Sequence, residues 1–112
     1  MTAAHERRID VLTVTDCPHR DLTLDRIHDA LVSLGLEVTT VAEQVIDDPI
    51  EALRAGMHGS PTVLIDGHDP FTTSGIEASV SCRLYPTANG YDGAPSVEDL
   101  VAALAQLGSD RR

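Results

Sequence analysis

The chain has 112 residues and a net charge of −10, with 18 acidic residues against eight arginines and no lysine. Its length suits one small domain, and its charge leaves no basic face for phosphates or anionic lipids, which excludes nucleic-acid binding and docking on a membrane surface. No run approaches the roughly 20 apolar residues of a membrane span. The first residues lack the apolar core of a signal peptide, so a cytoplasmic protein with two free thiols, Cys17 and Cys82, is expected.

Residues 1–8 read as a polar tail. Residues 9–15, Ile-Asp-Val-Leu-Thr-Val-Thr, carry apolar side chains on both parities, as in a strand covered on both faces. Pro18 suits the first position of a helix, where its missing N–H costs nothing. Leu24, Ile27, Leu31 and Leu34 follow at spacings of three and four, and Gly35 supplies a left-handed stop. A helix is therefore expected over 18–34, and a second strand over 36–41. Asp48-Pro49-Ile50-Glu51 reads as an N-cap, a first-turn proline and a reciprocal acid, opening a short helix that Gly56 ends. A third strand spans 62–65 and closes on the turn pair Asp66-Gly67. Residues 68–78 read as an irregular loop, 79–85 as a fourth strand and 86–95 as turns. Ser96 caps a last helix with the stripe Val97, Leu100, Val101, Leu104 and Leu107, which Gly108 ends before a charged tail over 108–112. The order is β-α-β-α-β-β-α, an α/β domain over 9–107 whose first β-α-β unit makes a parallel pair.

Two motifs carry chemistry: Cys17-Pro18-His19-Arg20 after the first strand, and Gly59-Ser60-Pro61-Thr62 opening the third. In this element order they resemble the thioredoxin-like superfamily. The resemblance implies a four-stranded mixed sheet flanked by helices, whose third strand runs antiparallel and is entered through a cis Ser60-Pro61 bond. Asp69-Pro70-Phe71 and Ser81-Cys82-Arg83-Leu84-Tyr85 are similar to segments of short bacterial thioredoxin-like proteins related to alkylmercury lyase. That likeness makes Cys17 and Cys82 candidates for a lyase's two cysteines and singles out no aspartate.

A thiol at a helix N-terminus faces unpaired amides and the positive end of the helix dipole, which favour the reactive thiolate. Arg20 would add to this and Asp16 oppose it. The fourth position of the motif is Arg20 rather than cysteine, so no disulfide forms within it. Three readings stay open: a single-thiol protein making mixed disulfides or capturing a soft electrophile, Cys82 as a distant resolving thiol, or a binding module without thiol chemistry. Ser60 and Pro61 would position a thiol-bearing small molecule or protein, whose extended backbone could pair with Ser60 as a strand does. With residues 62–65 and 79–85 as an antiparallel hairpin, Cys82 falls away from Cys17 and has a structural role. Cys17, His19 and His58 are the only candidate soft-metal cluster, without the spacing of a structural site. His5, His28 and His68 read as solvent-exposed, and Phe71 as the plug that holds the long loop down. No cofactor is implied, the enzyme label stays open between thiol-disulfide oxidoreductase and a lyase relative, and the sequence gives no oligomeric state.

Overall fold

The structure is a computed structural model and describes residues 8–36, 39–72 and 77–109, the last four as backbone. In chain order these form β1 (Arg8–Thr13), α1 (Arg20–Leu34), β2 (Thr40–Val45), α2 (Pro49–Ala55), β3 (His58–Ser60), β4 (Thr62–Ile65), β5 (Ser79–Cys82), β6 (Tyr85–Thr87), β7 (Gly90–Asp92) and α3 (Val97–Ser109). None of the described helices is long and apolar enough to cross a membrane.

The two-parity pattern of β1 places it at the centre of a sheet of order β2-β1-β4, parallel to β2 and antiparallel to β4. Ile9 and Val11 point to one face, where they join Ile27, Ala30 and Leu31 of α1, Val63 and Ile65 of β4, and Leu100 and Leu104 of α3. Leu12 points to the other face and meets Ile46, Ala52 and Met57. Each buried Val, Leu, Ile or Met side chain among these contributes about 1.5–3 kcal/mol, so the sheet is held from both sides. Phe71 packs on the first cluster, as expected of a plug for the loop that follows β4.

Several boundaries differ from expectation. Strand β1 takes in Arg8 and stops at Thr13 rather than running over 9–15. Helix α1 starts at Arg20 with His19 as its N-cap, not at Pro18. The Cys17 carbonyl is used in a turn ahead of the helix, where it accepts the Arg20 amide at 3.3 Å. Strand β2 starts at Thr40, because Leu36 belongs to the end of α1. Gly35 is left-handed, the Leu36 amide bonds back to Leu31 O at 2.8 Å, and the Leu36 side chain packs on the first cluster. Residues 37–38 of the expected strand lie outside the described residues. Helix α3 continues through Gly108 to Ser109.

The larger correction concerns the fourth strand. Among the described residues the central sheet has three strands, not four. Strand β5 pairs with β3, not β4, and the pairing is parallel. Gly59 makes this possible. It sits at φ +117°, and a Cβ there would lie 2.8 Å from Arg83 Cβ and 3.1 Å from the Ser81 carbonyl. Part of the stretch expected to hold only turns forms the antiparallel hairpin β6–β7.

Candidate functional site

Cys17 lies in a turn that leaves the end of β1, one turn ahead of α1, and its thiol is free and partly exposed. The turn is closed by the Cys17 amide on Val14 O at 3.2 Å, with Asp16 in the left-handed region at φ 58°. It is tied down at two further points. The Val14 amide donates to Ser60 Oγ at 3.0 Å. The Thr15 amide and hydroxyl donate to the two carboxylate oxygens of Asp47 at 2.9 and 2.6 Å. These bonds favour the charged carboxylate and hold Asp47 below its ordinary pKa, the Thr15 hydroxyl contributing most. Asp48 meanwhile caps α2 through the Ile50 amide, as expected. The Asp47-Asp48 pair thus divides its work, and the part played by Asp47 had no signal beyond the doublet.

Ser60 and Pro61 are joined by a cis peptide bond directly before β4. Ser60 is buried, its hydroxyl turned to the Cys17 turn. Its carbonyl accepts the Arg83 amide at 3.1 Å, and it is the register partner of Cys82. The strand position beside Ser60, expected to receive a partner's backbone, is therefore occupied by β5 of the same chain. Cys82 is exposed and free. The expected antiparallel hairpin of residues 62–65 and 79–85 does not form.

The remaining candidates separate. The Arg20 guanidinium is held by Glu43 at 2.6–2.7 Å and by Asp21 at 2.6 Å. The Glu43 contact is the main reason its pKa is raised, so its charge is matched at β2. The His19 ring lies against Gly93, where an added Cβ would come within 2.5 Å of three ring atoms. The Cys17-Pro18-His19 turn thereby packs on the connection between β7 and α3. His58 binds Asp69 through Nδ1 at 2.8 Å. Among the described residues no three metal-ligating side chains come together, so the candidates Cys17, His19 and His58 do not form a cluster. His28 and His68 are exposed, as expected, and His5 lies outside the described residues.

Beneath Ser60 and Pro61 lies an ion cluster that sequence reading missed. The Asp69 side chain is 2% exposed and that of Arg83 6%. Arg83 Nη1 reaches Asp69 Oδ2 at 2.7 Å, and Nη2 donates to the Phe71 carbonyl at 3.0 Å. Thr62 Oγ1 accepts the His58 amide and donates to Gly59 O, closing the β3–β4 corner. The Arg83 guanidinium stacks 4.6 Å from the centre of the Tyr85 ring. Tyr85 meets Phe71 edge-on at 5.6 Å and donates its hydroxyl to the Pro61 carbonyl. Burial pushes the Tyr85 hydroxyl well above its ordinary pKa; Arg83 opposes the rise, and negative charge on Asp69 and Cys17 adds to it.

No family model, curated protein or solved structure matches this chain. What the site can do follows from its own atoms. It holds an accessible thiol on a turn pinned to the β3–β4 corner, a second accessible thiol beside that corner, and a buried ion cluster that fixes the corner from within.

Proposed function

We propose that this chain is a cytoplasmic, thioredoxin-like thiol protein in which Cys17 undergoes thiol-disulfide exchange or captures a soft electrophile. The observation that carries the reading is the tethered turn: a partly exposed thiol whose preceding backbone is fixed by Ser60 on one side and Asp47 on the other. Fixing a nucleophile in one geometry lowers the entropy cost of reaching the reacting arrangement. The partner that suits the site is a small thiol-bearing molecule rather than an extended peptide, because β5 already engages the Ser60 carbonyl.

The test is the rate at which Cys17 reacts with iodoacetamide and with glutathione disulfide at neutral pH, in a Cys82→Ser background. Reaction faster than that of free glutathione supports the reading, and Ser60→Ala should slow it by loosening the turn. A Cys17 inert to both reagents in the folded protein would reject thiol chemistry and leave a binding module. Two free thiols close to one corner also favour a soft metal or organometal as the electrophile. Mercury(II) titration of wild type, Cys17→Ser and Cys82→Ser distinguishes that case; binding indifferent to both substitutions would rule it out.

A further inference from the structure

Strand β2 forms one edge of the central sheet, paired to β1 on its inner side, and no other described strand lies against its outer side. The Ile46 amide, just past the strand, bonds to Thr13 O of β1 at 2.8 Å. Backbone direction alternates along a strand. Thr40, Ala42 and Gln44 therefore also turn their amides and carbonyls to β1, and Val41, Glu43 and Val45 turn theirs outward. The same three outward residues are register partners of Ile9, Val11 and Thr13, which puts their side chains on the face covered by α1. There Val41 is 37% and Val45 58% exposed, although both are apolar. Natural edges are guarded against pairing by proline, lysine, bulges or inward-pointing charge. Strand β2 has no proline or lysine, its register is unbroken, and its single charge, Glu43, is matched by Arg20 of the same chain at 2.6 Å.

We propose that β2 is a dimerisation edge whose occupant is a second copy of this chain, paired antiparallel about a two-fold axis at Glu43. The strand favours this occupant by its own symmetry: Thr-Val-Ala-Glu-Gln-Val sets Val41 and Val45 equally far on either side of Glu43. A two-fold contact brings one patch against itself, so Val41 of each copy meets Val45 of the other, and Glu43 meets Glu43. Among two-fold antiparallel registers, only the one centred on Glu43 engages all three outward residues of both copies, giving about six backbone hydrogen bonds. The exposed valines then cover each other on the α1 side. Like charges directly opposite would work against this register, but each Glu43 is already held by the Arg20 guanidinium. Because β1 and β2 run parallel, the antiparallel join leaves the two Cys17 turns at opposite ends of one continuous sheet, so the dimer is independent of thiol chemistry.

The experiment is sedimentation equilibrium of the full chain across the micromolar to millimolar range, with a reductant present to exclude disulfide-linked dimers. The 12.0 kDa chain should reach twice that mass. Val41→Lys combined with Val45→Lys should weaken association by about tenfold or more, by setting charge on the edge. Leu53→Lys, at a comparably exposed leucine of α2, should leave it unchanged. Arg20→Gln should weaken association severalfold by leaving the facing glutamates unmatched, and adding Glu43→Gln should restore it. Circular dichroism checks that each variant keeps its fold. A mixture of isotope-labelled and unlabelled wild type should show NMR contacts between the methyls of Val41 and Val45 across copies, a readout that needs no variant. A chain that stays monomeric at millimolar concentration overturns the proposal. So does a dimer that keeps its strength in the folded double-lysine variant, or one that lacks the Val41–Val45 contact.

Discussion

Asp69→Ala should be among the most damaging single substitutions in this domain. It removes the counter-ion of Arg83, whose side chain is 6% exposed, and the partner of His58 Nδ1. Deleting one member of a buried ion pair costs about 3–5 kcal/mol, because the other charge stays out of water without compensation. The lost Asp69 Oδ1 bond to the Phe71 amide, 2.9 Å long, adds about 1 kcal/mol. With a urea dependence of about 2 kcal/mol per molar for a small domain, the unfolding midpoint should fall by roughly 2–3 M, read by circular dichroism. Adding Arg83→Met removes the orphaned charge and keeps apolar volume under Tyr85, so the double variant should recover part of the loss. The reasoning fails if Asp69→Ala costs less than about 1 kcal/mol, the cost typical of an exposed pair. It fails equally if the double variant is no more stable than the single one.

Three other predictions follow from the geometry. Gly59→Ala combines a strained φ of +117° with a 2.8 Å clash and should cost about 2–5 kcal/mol, whereas Gly67→Ala, at φ +86° with open space around it, should cost about 1; paired urea melts measure the contrast. Gly93→Ala should drive the His19 ring from its seat and change the alkylation rate of Cys17 several-fold while leaving secondary structure intact, as circular dichroism and a timed alkylation would show. Asp47 titrates below its ordinary value because Thr15 bonds its charged form, so its contribution to stability is complete above the unfolded value of about 3.9 and disappears as pH falls through the lower folded value. Thr15→Val should move the Asp47 carboxyl titration upward in a carbon-detected NMR series.

Elements set by local pattern were legible in the sequence. Ile9, Val11 and Leu12 announce a strand buried on both faces, Gly35 and Gly56 stop their helices in the left-handed region, and Asp48 and Ser96 cap theirs. The cis Ser60-Pro61 bond and the antiparallel run of β4 also match the expectation from resemblance. The place of β5 was not legible. Alternation along 79–85 is equally consistent with a partner on either side, and the choice rests on Gly59 admitting close approach and on Arg83 finding Asp69, 14 residues away. Hydropathy also misleads at residues 83 and 84, where Arg83 is 7% exposed and Leu84 65%. A guanidinium enters the interior only because a carboxylate and an aromatic face are already there, and no window of neighbouring residues contains both.

One short strand, β5, ends in Cys82, and the next residue is the sealed-in Arg83. Surface chemistry and interior electrostatics therefore share a single peptide link. A bond made at the sulfur is expected to disturb the guanidinium, and a substitution that loosens the guanidinium to shift the sulfur. Melting temperature and thiol reactivity should accordingly move together in this molecule, each serving as a gauge of the other.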